Sequence, residues 1–337
     1  VKLKADLESE KVIKDYLLAN SNFPILAEES GANQDLGNSF WVVDPLDGTS
    51  NYSRDFPMCC ISIALIHENE ITLGGINMYV DTLLEAKRII IIGCGTSWHA
   101  ALTAEYFLEK YLKIPVEVEY ASEFRYRNPI IYESDIVFVV SQSGETADTI
   151  EAIRNTKEQG AYVVSIVEEP NSKAAINSDS YLLLETGKEI SVAATKTFSS
   201  TLLMINSICM YLASLLEKDN LTIHKVKEDF TNIDNNVQKV LDCCDYDYLR
   251  VSKFISESEK VFFIGKNLSF PIVKEGSLKI QEISKINSNS FIEGELKHGP
   301  NALLDKNTTV VSIIGPGDNI KKSISCLREI SSRNANI

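Results

Sequence analysis

The sequence predicts an α/β protein in which two copies of a mostly parallel-sheet domain follow a smaller α+β segment. Three observations carry that reading. From Arg88 onward, short β-branched runs alternate with helical patterns, the mark of a parallel sheet flanked by helices. The pattern then repeats: Lys260-Val261-Phe262-Phe263-Ile264-Gly265 matches Arg88 to Gly93. Gly93 to Glu123 and Gly265 to Glu295 are both 30 positions, and Gly93 to Ser141 and Gly265 to Ile313 are both 48, so one offset holds at three places. Before Glu85-Ala86 the chain instead carries carboxylates at strand ends. The implied divisions are 1–86, 87–220, a polar helical connector at 221–246, and 247–337, the last stopping soon after its second strand–helix step.

In the first segment, Asp6 opens a helical pattern through Leu18, with Leu7, Val12, Ile13, Tyr16 and Leu17 on one side. Pro24 to Ser30 reads as a short strand ending in carboxylates, followed by a polar loop from Gly31 to Asn38. Phe40 to Val43 reads as a second strand, ending in the turn Asp44-Pro45-Leu46-Asp47-Gly48-Thr49. Cys59 to Ile66 and Ile71 to Met78 read as a strand pair around Glu68-Asn69-Glu70. Asp44 and Asp47 flank a proline-stiffened turn in which Leu46 can offer its carbonyl. With Glu28 they form a hard oxygen set suited to Mg²⁺, and Thr49 can orient a water on such a metal. A bare pair of aspartates three apart is common in surface turns, so spacing alone does not separate a metal site from a turn.

In the first copy, Arg88 to Gly93 is a strand leading into Cys94-Gly95-Thr96-Ser97, then a helix from about Trp98 to Tyr111. The turn lacks the third glycine and the following acidic residue of a dinucleotide fold. Val116 to Tyr120, Ile136 to Val140, Ala161 to Val167 and Tyr181 to Leu184 read as further strands. After Val140 comes Ser141-Gln142-Ser143-Gly144-Glu145-Thr146, then a helix with Ala147, Ile150 and Ile153 on one face. Unpaired N–H groups and the positive dipole end converge at such a helix start, and three hydroxyls with a glycine there form a seat for a phosphate dianion. An ordinary N-cap needs one hydroxyl. Ligands in open parallel sheets bind past the carboxyl ends of strands, where Thr96, Ser141, Ser143 and Thr146 fall.

In the second copy, Phe270 to Ile286 reads as a helix with Glu275, Lys279 and Glu282 on one face. Lys297-His298-Gly299-Pro300 is a tight turn with a titratable group. A carboxylate that moves a proton between C1 and C2, and a histidine that opens the ring, are what aldose–ketose isomerisation needs. An i,i+4 salt bridge and a hydrogen-bonded turn histidine are the plainer readings of the same residues.

The 337 residues carry a formal charge of -14, which argues against nucleic acid and anionic membranes as partners. Seven scattered cysteines without a C-x-x-C pair suit a reducing compartment, and with no recognisable secretory signal the expectation is a cytoplasmic protein. Phe198 to Leu216 is uncharged, but Ser199, Ser200, Thr201, Asn206, Ser207 and Ser214 dilute it, so it reads as a buried helix rather than a membrane span.

Two resemblances sharpen these readings. AEES, WVVDPLDGTSNY and FPMCCISIAL resemble the inositol monophosphatase family over residues 1–86. That resemblance implies Mg²⁺ held by Glu28, Asp44, the Leu46 carbonyl and Asp47, with Asp6 as an outer ligand. The family's second half, with its further aspartate, is not found, so the expectation is an inactive fragment. GCGTS, ASEFRYR, SQSGETADT, EISVAATKT, KEGSLKIQEIS and GELKHGP resemble the isomerase half of the glutamine–fructose-6-phosphate aminotransferase (isomerising) family, built from two sugar isomerase (SIS) domains. This implies two tandem parallel-sheet sandwich domains, the second incomplete, and a hexose 6-phosphate bound by Thr96, Ser141, Gln142, Ser143 and Thr146, with Val192 against the sugar and Glu275 in the same pocket. It further implies Glu282 as the C1/C2 base, Lys279 positioning it, and His298 assisting ring opening from the partner of a homodimer. No cofactor is implied for this part.

The departures are specific. Ala194 stands in place of a serine, Lys266-Asn267 in place of Arg-Gly, and neither a glutaminase segment nor the family's C-terminal tail lysine is found. Amination would then need a separate ammonia or glutaminase source. The alternatives are a non-catalytic sugar-phosphate-binding SIS protein, an enzyme with phosphatase and isomerase centres, and two gene fragments joined near Ile76 to Arg88.

Overall fold

The structure is a computed structural model that describes residues 4–47, 60–67, 70–73, 85–187, 189–215, 230, 232–243, 245–315 and 319–337. It divides into two compact units, residues 1–84 and 85–337.

In the first unit, helix α1 (Lys4–Asn20) packs on a five-stranded sheet ordered β2-β1-β3-β4-β5, with β1 Ile25–Ala27, β2 Gly31–Ala32, β3 Phe40–Asp47, β4 Cys60–His67 and β5 Glu70–Leu73. Leu17, Ile25, Ala27 and Val43 form its buried core. Two expectations are corrected. Gly31–Ala32, read as loop, pairs antiparallel with β1. The predicted turn from Asp44 to Asp47 is strand: β3 continues through Pro45, and its pairing with β4 shifts register between Asp44 and Asp47. A bulge is where a sheet accepts a proline, because the missing N–H then costs no ladder bond. Gly48, Thr49 and Met78 lie outside the described residues.

The second unit opens with a five-stranded, wholly parallel sheet: β6 Arg88–Gly93, β7 Val116–Tyr120, β8 Asp135–Val140, β9 Tyr162–Val167 and β10 Ser180–Leu183, ordered β7-β6-β8-β9-β10. Ile136, Val137, Phe138, Val139 and Val140 are all buried, as a strand covered on both faces requires. The crossovers are α2 (Thr96–Leu112), α3 (Ala121–Arg127), α4 (Ala147–Glu158) and α5 (Lys173–Asn177). The uncharged stretch forms α6 (Lys196–Leu215), which packs along α2 and buries Ile205, Ile208, Cys209, Met210 and Leu212. Among the described residues no helix is long and apolar enough to cross a membrane. The connector region holds α7 (Ile233–Cys243) and α8 (Asp245–Ser256).

A second parallel sheet follows: β11 Lys260–Gly265, then α9 (Ser269–Ser284), β12 Asn287–Ile292, β13 Thr308–Ser312 and α10 (Ile320–Ser331), with strand order β12-β11-β13. The repeat read from spacing is thus a repeat of topology. Ile89 pairs with Val116 as Val261 pairs with Ser288, and Arg88 with Asp135 as Lys260 with Thr308. Gly93 and Gly265 occupy the same turn: a Cβ would lie 2.9 Å from the Trp98 nitrogen in one copy and 2.9 Å from the Ser269 carbonyl oxygen in the other. Strand β12 was missed because Asn287-Ser288-Asn289-Ser290 has no apolar run; pairing with β11 makes it a strand.

Arg88 anchors the first sheet. Its Nε donates to Asp135 Oδ1 at 3.2 Å, one terminal nitrogen meets Asp135 Oδ2 and the Ile130 carbonyl, and the other reaches Glu117 at 3.1 Å. Asp135 is 2% exposed and its Oδ2 also accepts the Tyr132 N–H at 2.8 Å. Removing one partner of a buried ion pair strands the other. Asp135→Ala is therefore expected to cost about 3 kcal/mol in urea unfolding, and an unchanged midpoint with unchanged slope would refute the anchoring role.

Candidate active site

The first sheet has the order 2-1-3-4-5 when its strands are counted along the chain. In such sheets the crevice opens where the order reverses, between the first and third strands. Those are β6 and β8, and their carboxyl ends run into Gly95-Thr96 and Ser141–Thr146. Both hydroxyl turns recognised in the sequence therefore sit at the switch point.

The Ser141–Thr146 turn is braced from within and from behind. Ser141 is buried, and its Oγ accepts the Gly144 N–H at 3.2 Å; Ser143 Oγ accepts the Glu145 N–H at 3.3 Å. The Gln142 carbonyl accepts the Glu168 N–H at 3.0 Å. Gly144 has φ +62°, and a Cβ there would lie 2.1 Å from Ser172 Oγ, so both conformation and space demand glycine. Its carbonyl accepts the Ala174 N–H at 2.9 Å, while Glu145 takes both the backbone N–H and the ammonium of Lys173 at 2.9 Å. The side-chain bond from Lys173 holds the Glu145 carboxyl below its ordinary range. Helix α4 begins with Thr146 at its cap and no side-chain capping bond. The Thr146 hydroxyl thus does not serve as an N-cap, while Ser141 and Ser143 each accept one backbone N–H inside the turn.

Thr96 begins α2, and its environment comes from the other domain copy. Its Oγ1 donates to Glu275 Oε1 at 2.9 Å and accepts from Lys279 Nζ at 3.2 Å. Lys279 Nζ also lies 3.1 Å from Glu275 Oε1 and 2.7 Å from Glu282 Oε2. His99 Nδ1 lies 2.7 Å from Glu275 Oε2. Glu275 is 6% exposed. Burial works against its charge, but the bonds from His99, Lys279 and Thr96 prevail and keep its pKa below the ordinary value. The helix pair is sealed beside this cluster by Trp98, stacked on Tyr120 at 3.9 Å, with Lys274 Nζ 5.2 Å above the indole. Burial lowers the pKa of Lys274.

The structure thus brings Thr96, Glu275, Lys279 and Glu282 together, on the edge that also carries the Ser141–Thr146 turn. His99 was missed in the sequence, although it lies three residues after Thr96 and so on the same helix face. Val192 is 89% exposed in the loop before α6. His298 is exposed just past a 3-10 turn (Glu295–Lys297); its N–H donates to the Glu295 carbonyl at 3.0 Å, and among the described residues no hydrogen bond or ion pair joins it to the cluster. Ala194 is half-buried. Lys266 reaches Ser323 Oγ at 2.7 Å and Glu293 at 3.5 Å, and Asn267 takes the left-handed conformation, φ 50°, that suits the glycine it replaces.

In the first unit, Glu28 just past β1 and Asp44 within β3 lie side by side, since Ala27 pairs with Val43 and the Glu28 N–H donates to the Val43 carbonyl at 2.9 Å. The side chains of Asp6, Leu46 and Asp47 are outside the described residues. Among the described residues no group of three or more metal-ligating side chains is assembled.

The chain carries two copies of one domain, and comparison identifies it. The SIS domain family matches residues 82–211 and 254–337, and the chain belongs to it. Glutamine--fructose-6-phosphate aminotransferase [isomerizing] of Chlorobaculum tepidum is 37% identical over 272 residues, 81% of this chain and 44% of that protein. The Francisella tularensis enzyme of the same name is 39% identical over 277 residues, 80% of this chain and 45% of that protein. The chain therefore spans less than half the length of these relatives. Among solved structures, the C-terminal domain of glucosamine-fructose-6-phosphate aminotransferase from Francisella tularensis superposes with TM-score 0.74 at 37% identity, covering 79% of this chain and 75% of that one. Glucosamine-6-phosphate deaminase from Thermotoga maritima gives 0.60 at 25% identity, covering 77% of each chain. The SIS match begins at residue 82, and the comparisons give no support for the inositol-monophosphatase resemblance read in the segment before it.

Because Glu275 has a depressed pKa in the folded state, its contribution is full above its unfolded value, about 4.3, and is lost as pH falls through the lower folded value. Wild-type stability is expected to fall more steeply than that of Glu275→Gln between about pH 5 and pH 3. Parallel acid limbs in urea titrations at each pH would show that the carboxylate is not held this way. At neutral pH Glu275→Ala should cost about 1.5–3 kcal/mol, the range for losing a charged hydrogen bond.

Proposed function

We propose that this chain is a sugar-phosphate isomerase-type enzyme whose substrate is a hexose 6-phosphate, with fructose 6-phosphate the first choice. What carries the reading is the juxtaposition of a hydroxyl-rich helix start at the sheet switch point with the Thr96–Glu275–Lys279–Glu282 cluster. A phosphate seat alone would serve a binding protein. An accessible carboxylate paired to a lysine beside that seat adds a group able to move a proton.

In this mechanism Ser141, Gln142, Ser143 and Thr146 hold the phosphate. Glu282, with Oε2 held by Lys279, takes a proton from C1 of the open-chain ketose; the C1–H electron pair becomes a C1–C2 double bond as the carbonyl π pair moves onto O2, giving an enediolate. A proton passes from O1 to O2, and as O1 forms its carbonyl with C1 the double-bond pair takes the proton back from Glu282 at C2, giving the aldose. Lys279 keeps the carboxylate in one orientation, and His298, from the partner of a homodimer, assists ring opening. The named activities of the relatives favour amino-sugar phosphates: one is an isomerising aminotransferase named for fructose 6-phosphate, the other a deaminase of glucosamine 6-phosphate. The same proton transfer serves both directions. For residues 1–86, the inositol-monophosphatase resemblance rests on motifs alone.

Two measurements test the reading. Fructose 6-phosphate in D₂O should acquire deuterium at C1 or C2 in the presence of the protein, and Glu282→Gln should slow this by about 10²-fold or more while ligand binding persists. Equal exchange in both proteins would remove Glu282 from the chemistry. Separately, fructose 6-phosphate at one hundred times its Kd should stabilise the fold by about 2.7 kcal/mol. Unphosphorylated fructose should not, and Ser143→Ala with Thr146→Ala should abolish the effect. Stabilisation by both sugars alike would displace the phosphate from that turn.

A further inference from the structure

His99 has no assigned part in the reaction proposed above, yet it holds the innermost point of the cluster. It lies on α2 of the first domain copy, 9% exposed, with Nδ1 2.7 Å from Oε2 of Glu275 on α9 of the second. Because Glu275 is a carboxylate at neutral pH, it accepts, and Nδ1 carries the proton. The other Glu275 oxygen is shared by Thr96 and Lys279, and Lys279 continues to Glu282. The four side chains form a line from a buried imidazole to an accessible carboxylate: His99, Glu275, Lys279, Glu282.

We propose that His99 is a positioning residue for the isomerisation, acting on Glu282 through Glu275 and Lys279. A carboxylate with one oxygen unheld rotates about its last bond, and its remaining oxygen then draws Lys279 along with it. The imidazole removes that freedom. It leaves Glu275 Oε1 aimed at Thr96 and Lys279, which keeps the ammonium within 2.7 Å of Glu282. The bond also crosses between the two domain copies, so the placement of the base depends on how α2 and α9 lie against each other. This inference rests on the isomerase reading.

The test compares two polar variants that should both fold. In His99→Asn the amide nitrogen falls near the position of Nδ1 and can still donate to Glu275. In His99→Gln it falls near the far ring nitrogen and cannot. Deuterium exchange into fructose 6-phosphate is measured over a range of substrate concentrations, with Tm recorded for each protein. The expected result is that His99→Gln lowers kcat by about tenfold or more, the scale of losing an orienting partner, with KM within about twofold of wild type, whereas His99→Asn stays within about threefold of wild type. Equal kcat in wild type and His99→Gln overturns the positioning role. So does a loss in His99→Gln that appears in KM or tracks a lowered Tm shared by both variants, for that is structural. Absence of exchange in the wild-type protein overturns the isomerase reading itself, and the role of His99 with it.

Discussion

One buried carboxylate governs how the two domain copies meet. Moving a charged group out of water costs several kcal/mol even after relaxation, and the loss is offset only where partners are in place. Glu275 satisfies that condition with groups it does not own: Thr96 and His99 come from α2, and only Lys279 comes from its own helix. The two helices cannot slide without taking Thr96 and His99 away from the carboxylate and leaving it with Lys279 alone. The Trp98–Tyr120 stack and the Lys274 ammonium above Trp98 enclose the same contact with apolar and cation–π area. An interface of this kind specifies a register more sharply than an apolar one, because its failure is discontinuous.

The two copies share a ladder and differ in what stands at its end. Both place the first strand in the middle, the second on one side and the third on the other. In the first copy the switch point carries the hydroxyl turn, with Gly144 pressed against Ser172 and the whole turn tied to the start of α5. In the second, the helix after the first strand carries Glu275, Lys279 and Glu282. In the function proposed above neither half is a site alone: the first copy would hold the phosphate and the second the base.

The central strands and the repeat were legible because their signals are local. Ile136 to Val140 is apolar at every position, and a strand buried on both faces has no other way to look. The repeat survived as spacing because loop lengths between paired strands are bound by the sheet. The face of Glu275, Lys279 and Glu282 followed from helical period alone. What escaped was set by partners distant in sequence. Strand β12 is polar and is a strand only because β11 lies beside it. The continuation of β3 through Pro45 depends on a bulge against β4. His99 looked like any helix residue until Glu275, 176 positions later, supplied its reason.

The matched glycines bear on how such a chain ages after its gene doubles. Gly93 and Gly265 are kept because a methyl group would strike the backbone of the next helix in either copy, whatever that copy does. Those sites are closed to drift from the start. The residues just beyond, Thr96 and the hydroxyls of Ser141 to Thr146 in one copy, are held by side-chain bonds rather than by backbone space, and one copy can lose them while the other retains them. Duplication thus sorts inherited positions into two accounts, one policed by geometry and one by chemistry. The second account is where the halves were free to become different tools.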